Sequence, residues 1–402
     1  MRWEAHVWSF TANSPQTTLV FRSLTPGACG PVVDMVHVFL LPPGAPVARV
    51  SVKRVVGPAG TPDPHWTDAN VENMVAEASA MHGAATGTTF LLEEIVDLVD
   101  PRLPGPWFDM NLASGNLASF ESAAENDPCA YEWRTDAINV YLVSTLLSPF
   151  GPAGGVCSFP TATPAPDDVV VLASIPAAFA GAWEYGRSLA HELGHYFGLY
   201  HTFETGLGVE AQGVCQALAP NCANAGDLVC DTPADPVPAV FGIGNLAALE
   251  ALYGCGTCFG CDSCPYRTLR WNVMSYYGGI TLQQALFTPG QVSRVQTFTA
   301  QYRTDVLVGG SAASIAAVSP SAGTYPGPTT LTVTGANLPT TGFVQLFIPG
   351  QPPSQVAVGP TATSVTANFT NPIPPGLHCV GIRRSSDTVA YLAGGLHVRP
   401  SA

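Results

Sequence analysis

Charged side chains are scarce, at 11% of the 402 residues, against roughly 25% in an ordinary globular chain. Positive charge is scarcer still: 15 lysines and arginines stand against 29 acidic residues, the net charge is −14, and Lys53 is the only lysine. Such a chain repels phosphate backbones and anionic lipid surfaces, which argues against nucleic acid and membrane as general partners. Long hydrophobic runs are missing too. No stretch reaches the roughly 18 apolar residues of a membrane-spanning helix; the nearest, 237–253, is broken by Pro238, Asn245 and Glu250. The opening residues, MRWEAHVWSF, lack the apolar core of a secretory leader.

Cysteine is abundant. Eleven cysteines in a chain of this kind point to an oxidising compartment. Together with the opening residues, this predicts an extracellular protein whose leader was removed ahead of this sequence. The 40 glycines and 37 prolines are about a fifth of the chain, below the roughly 25–30% of low-complexity sequences. With 47% hydrophobic residues, the chain reads as loop-rich but folded, and its length predicts two domains.

Periodicity separates those domains. Strands are predicted at 36–41, 49–56, 89–98, 136–143 and 169–173. Val71, Met74, Val75, Ala78 and Met81 recur at helical spacing, with Thr67 or Asp68 as N-cap and Gly83 as C-cap. A helix follows over about 183–196, then a cysteine- and turn-rich region with a short helix near 246–253. Thr288 and Pro289 open a last helix as N-cap and first helical residue. Beyond Gly310 only short alternating runs remain, punctuated by turn residues every 8–12 positions or so, which is the pattern of a β-sandwich. The predicted division is 1–32 as a lead-in or prosegment remnant, 33–305 as the chemical domain, 306–312 as a linker and 313–402 as the sandwich.

Chemistry concentrates in LAHELGHYFGLYHTF, residues 189–203. His191 and His195, four apart, leave one helix face a turn from each other, a spacing that one zinc ion bridges at roughly 2.0–2.1 Å from each nitrogen. Glu192 lies beside them, placed to take a proton from water. A third ligand at helical spacing would emerge in line with the first two, whereas tetrahedral zinc needs it from another direction. Gly198 can adopt the left-handed conformation that ends a helix, so the chain turns and His201 approaches from the side. The fourth position stays open, as in catalytic rather than structural zinc sites. The full H-E-x-x-H-x-x-G-x-x-H pattern is far more demanding than its first five positions alone.

Further on, RWNVMSYYGG carries Met274 and, two residues later, Tyr276. This stretch resembles the Met-turn of metzincin zinc peptidases. Together, HELGHYFGLYHTF, GDLVCDTP, NVMSYY and FTPGQ resemble the pappalysin family of that clan over about residues 33–303. The resemblance implies an α+β catalytic domain with a mixed sheet, helices, a zinc helix and an irregular C-terminal part. It also implies secreted endopeptidase activity on protein or peptide substrates, a structural Met274, and a Tyr276 hydroxyl that supports the oxyanion; a packed core tyrosine is the other reading of Tyr276. Three departures stand out. Ser275 occupies a position where the family commonly has Asp, SYYGGITLQQ carries no acidic side chain of the kind associated with cleavage before basic residues, and ETGLGVEAQGVC replaces a glycine-cysteine step. Asp227 and Asp231 remain open as structural calcium ligands or as turn caps.

Cys255, Cys258, Cys261 and Cys264 are spaced by two residues each, a run that suits disulfides together with Cys215, Cys222 and Cys230, or a second metal centre, since its last interval differs from the ferredoxin pattern. The cysteine count is odd. Cys29 is therefore either a latency thiol for the open zinc position, by resemblance to metzincin prosegments, or the partner of Cys129 or Cys157. The sequence IAAVSPSAGTYPGPTTLTVTGANL resembles the opening of an IPT/TIG immunoglobulin-like domain, which implies a binding or targeting module; a passive spacer fits equally. The rival to a secreted zinc endopeptidase is an extracellular adhesin with a structural or vestigial metal site, a reading in which Glu192 has no use. An iron–sulfur redox protein rests on the cysteine run alone.

Overall fold

The computed structural model describes residues 45–99, 107–149, 151–157, 168–174, 185–210, 221–236, 246–254, 260–277, 284–310, 312–328, 330–351, 355–356, 358–384 and 387–401. The expected strand at 36–41 and Cys29 lie outside these residues. In the first half the chain runs β1 (Val47–Val55), α1 (Asp68–Thr86), β2 (Thr89–Leu98), β3 (Asp109–Asn111), α2 (Asn116–Asn126), β4 (Ile138–Val143), β5 (Thr145–Ser148), β6 (Gly151–Pro152), β7 (Gly155–Cys157), β8 (Val170–Ala173) and α3 (Tyr185–Tyr196). Helices α4 (Leu246–Tyr253), α5 (Cys264–Arg270) and α6 (Pro289–Tyr302) follow.

The main sheet has the order β2-β1-β4-β8-β7, parallel throughout except for the antiparallel edge strand β7. Its central strands, INVYLV and VVLA, are buried at every position, as parallel strands covered on both faces must be. On one face Val50, Val52, Val140, Leu142 and Leu172 pack against Met74 and Ala78 of α1 and Leu189 and Leu193 of α3. On the other, Val55, Tyr141, Val143 and Val171 meet Trp107, Phe120 and Trp133. The sheet thus holds α3 as a rigid platform.

Helix α1 begins where expected: the Thr67 hydroxyl accepts the Asn70 N–H. It ends later than expected. Gly83 stays helical because its role is packing, with a Cβ there 3.0 Å from Thr89 Cγ2; the left-handed cap is Gly87, at φ +79°. Helix α6 has the expected start, with a full capping box between Thr288 and Gln291 and Pro289 in its first turn.

The second half contains β9 (Ser314–Ser319), β10 (Ala322–Thr324), β11 (Thr330–Ala336), β12 (Val344–Phe347), β13 (Gln355–Val356), β14 (Val358–Thr361), β15 (Ser364–Asn368), β16 (Gly376–Arg384) and β17 (Asp387–Arg399). They form two sheets, β10-β17-β16-β12-β13 and β14-β15-β11-β9. A common apolar core joins them, built from Leu331, Val333, Val365, Leu346, Val380 and Ile382.

The two halves are fastened together. Cys129, just beyond α2, is bonded to Cys379 of β16 across a sequence separation of 250. Arg383 donates to Glu125 O (3.0 Å) and Asn126 Oδ1 (2.9 Å), and Tyr391 of β17 packs against the core behind the main sheet. Residues 306–308 pair with the start of β1, through Arg49 N–H to Val306 O at 2.8 Å and Val308 N–H to Val47 O at 2.7 Å.

Candidate metal centre

Helix α3 supplies the first two imidazoles. His191 Nδ1 donates to Val273 O and His195 Nδ1 to Leu199 O, each at 2.7 Å. These bonds fix the tautomer and turn each Nε2 lone pair inward. The helix then ends in a Schellman motif: Leu199 N–H bonds Gly194 O (2.8 Å) and Gly198 N–H bonds His195 O (2.9 Å), with Gly198 at φ +94°. A Cβ on Gly198 would also stand 2.6 Å from Phe298. The turn carries His201 back over the helix, where its ring stacks on Phe203 at 4.6 Å and 10°.

The result is convergence. His201 Nε2 lies 3.2 Å from both His191 Nε2 and His195 Nε2, and the three donor atoms lie within 4.8 Å of one another. Burial holds all three imidazoles below their usual pKa, His195 at about 4, which favours the neutral form that ligates metals. Two nitrogens at roughly 2.05 Å from a tetrahedral zinc stand about 3.3 Å apart. The donor set therefore fits that ion in chemistry, His191 and His195 fit it in tautomer, and the two 3.2 Å approaches of His201 fit it in spacing.

Glu192 is buried at the same helix level, against the edge strand. A Cβ on Gly155 of β7 would lie 2.8 Å from Glu192 Cγ and Oε1. Burial pushes its carboxyl up to about 8, opposed by the Cys157 backbone N–H that donates to it. Met274 lies under α3 with its sulfur so close to Gly194 that a Cβ there would overlap it. The Tyr276 hydroxyl reaches His201 Nε2 at 3.1 Å, and burial, followed by the Glu192 charge, raises its phenol pKa. The structure thus brings together His191, Glu192, His195, Gly198, His201, Met274 and Tyr276.

Other residues that sequence reasoning singled out stand elsewhere. Asp227 Oδ1 accepts the Val229 N–H at 2.9 Å within a turn. The Asp231 oxygens cap the start of α6, accepting from Thr288 Oγ1 and Gly290 N–H at 2.7 Å each. Among the described residues, only the three histidines form a group with metal-ligand convergence. Cys222 pairs with Cys230; of the four-cysteine run the described residues include Cys261, which is disulfide-bonded and so offers no thiolate, and Cys264, which is a free thiol. Cys129 is bonded to Cys379 and Cys157 is a buried free thiol.

Sequence reasoning missed four supporting residues. Arg187, buried one helical turn before His191, donates to Ser275 O at 3.0 Å and so braces the turn that carries Met274; its i−4 spacing from His191 was the available signal. Gly194 and Gly155 are needed for close approach, a requirement with no local signature. Asp235 also lies here, and no pattern in the sequence marks it.

Two buried histidines and a half-buried third, converging beside a buried carboxylate, form a candidate metal centre of the metallopeptidase class. Comparison with known proteins makes that assignment specific. The profile of the M43 peptidases, described as pregnancy-associated plasma protein-A, matches residues 123–300. An extracellular metalloprotease of Arthroderma otae is 31% identical over 279 residues, covering 60% of this chain and 90% of that protein. Extracellular metalloproteases of Colletotrichum graminicola and Arthroderma benhamiae are 33% and 30% identical over 177 and 176 residues, each covering 42% of this chain. The matches span about half the length of these last two relatives, 50% and 49%. The chain belongs to the M43 family of zinc metallopeptidases. No described helix is long and apolar enough to cross a membrane.

Proposed function

We propose that the protein is a secreted endopeptidase that cleaves peptide bonds of extracellular proteins with His191, His195 and His201 as zinc ligands. The observation that carries this reading is the approach of three inward-facing Nε2 atoms to 3.2 Å around His201, with the outer nitrogens of His191 and His195 already committed to backbone carbonyls. Zinc, when bound, supplies the Lewis acid that polarises the scissile carbonyl and acidifies a water. Glu192 takes the proton of the attacking water and delivers it to the leaving amine. Its burial at the edge strand suits this work, because a base shielded from solvent keeps a pKa close to the operating pH. Tyr276 donates its hydroxyl to the developing oxyanion, a role supported by its approach to His201 Nε2. Met274 forms the floor, and Gly198 makes the turn that frees the side approach.

In this reading residues 33–305 are the catalytic domain, residues 306–312 join it to the second domain, and residues 313–402 are an IPT/TIG-like immunoglobulin sandwich. The named relatives are extracellular metalloproteases, which supports export from the cell. Hydrolysis of labelled casein tests the mechanism. Chelation should abolish it, one equivalent of zinc should restore it, and Glu192→Ala should lower kcat by roughly 100- to 10,000-fold while zinc content stays unchanged. Undiminished turnover by the Glu192→Ala protein would remove the mechanism.

A further inference from the structure

One carboxylate outside the histidine set links both strands of chain that line the site. Asp235 Oδ2 accepts from Thr202 Oγ1 at 2.5 Å and from Ser275 Oγ at 2.7 Å, and its Oδ1 accepts from the Tyr277 hydroxyl at 2.9 Å. Thr202, Ser275 and Tyr277 are buried, at 1%, 0% and 0% exposure. Their positions matter: Thr202 follows His201 directly, and Ser275 and Tyr277 flank Tyr276 on either side. The Thr202 N–H also bonds Met274 O at 3.3 Å, so the two segments already lie side by side.

We infer that Asp235 is a positioning residue, which sets the Tyr276 hydroxyl against the metal-facing edge of His201. The inference rests on the proposed roles of His201 and Tyr276 and deepens them. Its physical basis is acceptor geometry. An ionised carboxylate is acceptor-only and can serve several hydroxyl donors at once. Here three donors from two segments meet on it, and none of the three is itself a metal ligand or a catalytic group. Losing the hub would leave buried hydroxyls without their acceptor and let the 275–277 segment shift relative to residue 202. A misplacement of about 1 Å in a reacting group costs on the order of 100-fold in rate. Arg187 braces the same turn from the helix side through Ser275 O, so Asp235 governs the other side, towards His201.

Asp235→Asn is the sharpest probe, because it keeps shape while replacing one accepting oxygen with a donor nitrogen. Thr202→Val and Tyr277→Phe remove single donors at nearly constant volume and serve as independent probes if Asp235→Asn folds poorly. The measurement is steady-state hydrolysis of a quenched-fluorescent casein peptide, with zinc content and thermal midpoint recorded for each variant. The expected result is a fall of about 100-fold in kcat for Asp235→Asn, with KM within about twofold and zinc retained. In a Tyr276→Phe background the same substitution should cost less than about threefold, since the hydroxyl being placed is gone. Thr202→Val and Tyr277→Phe should lower kcat by smaller factors with the same dependence on Tyr276. Wild-type kcat in Asp235→Asn, or a loss that multiplies fully with that of Tyr276→Phe, would overturn the inference. If Glu192→Ala or Tyr276→Phe themselves retain full activity, the failure lies with the proposed mechanism instead.

Discussion

Lys53, the chain's only lysine, has no exposed surface and lies in the middle of β1. Its amine donates to Asn139 Oδ1 at 2.5 Å, and burial lowers its pKa to about 7, only partly offset by Glu94. The amine is therefore neutral in the folded protein above about pH 7 and still protonated in the unfolded chain up to about pH 10. Between those limits the unfolded state binds the extra proton, so stability rises with pH. Denaturant unfolding at pH 7.5 and 9.5 should show the wild type gaining about 2 kcal/mol relative to Lys53→Met, at up to 1.36 kcal/mol per pH unit. A constant difference between the two proteins would show that the amine stays charged inside the fold. At this scale the sequence was readable where function imposes a repeat on neighbouring positions. The three histidines declare themselves through helical spacing and one glycine. Asp235 does not, because its three donors come from residues 202, 275 and 277 and meet only in the folded chain.

Elements were legible in proportion to their apolar periodicity. Strands β2 and β4, helix α4 and the start of α6 stand within two residues of their expected places. Helices α2 and α5 were not foreseen, since NLASFESAAEN buries only Phe120 and Ala124 and CPYRTLR spans just seven residues. The C-terminus of α1 was misread because a glycine inside a helix and a glycine ending one look alike until packing distinguishes them. The same distinction gives a prediction for α3. Gly194→Ala would drive a methyl into Met274, and Gly198→Ala would meet both a positive φ and Phe298. Backbone strain of the second kind costs about 1–3 kcal/mol. Both variants should melt below the wild type, and Gly198→Ala should also bind zinc more weakly because it carries His201 out of line. Equal zinc affinity in a titration against a chromogenic chelator would mean that the turn does not set the third ligand.

At the scale of the whole molecule, the sandwich is held against the back of the catalytic sheet, on the face away from α3. The Cys129–Cys379 bond, the Arg383 contacts to the end of α2 and the packing of Tyr391 all lie in that interface. The sequence predicts a division into two domains but not this contact, because eleven cysteines permit many pairings and connectivity cannot be read from spacing. Cutting the chain at an engineered protease site between Gly309 and Gly310 should leave one species on a non-reducing gel and two after reduction. Cys379→Ser should lower stability by about 2–5 kcal/mol, read as a lower thermal midpoint, while early-time casein hydrolysis at low temperature stays near wild type. Two separate bands before reduction would show that the halves are not bonded in solution.

The 250-residue span of that bond also sets a schedule for biosynthesis. At roughly 5–20 residues per second, the ribosome makes Cys379 some 12–50 s after Cys129. Throughout that interval the earlier thiol emerges among other cysteines that are already free to oxidise. In a chain exported as it is made, as proposed above, Cys129 must stay reduced, or have a wrong pairing reshuffled, until the tail of the chain arrives. Its yield in cells should accordingly depend on disulfide isomerase supply more than that of a variant lacking both Cys129 and Cys379.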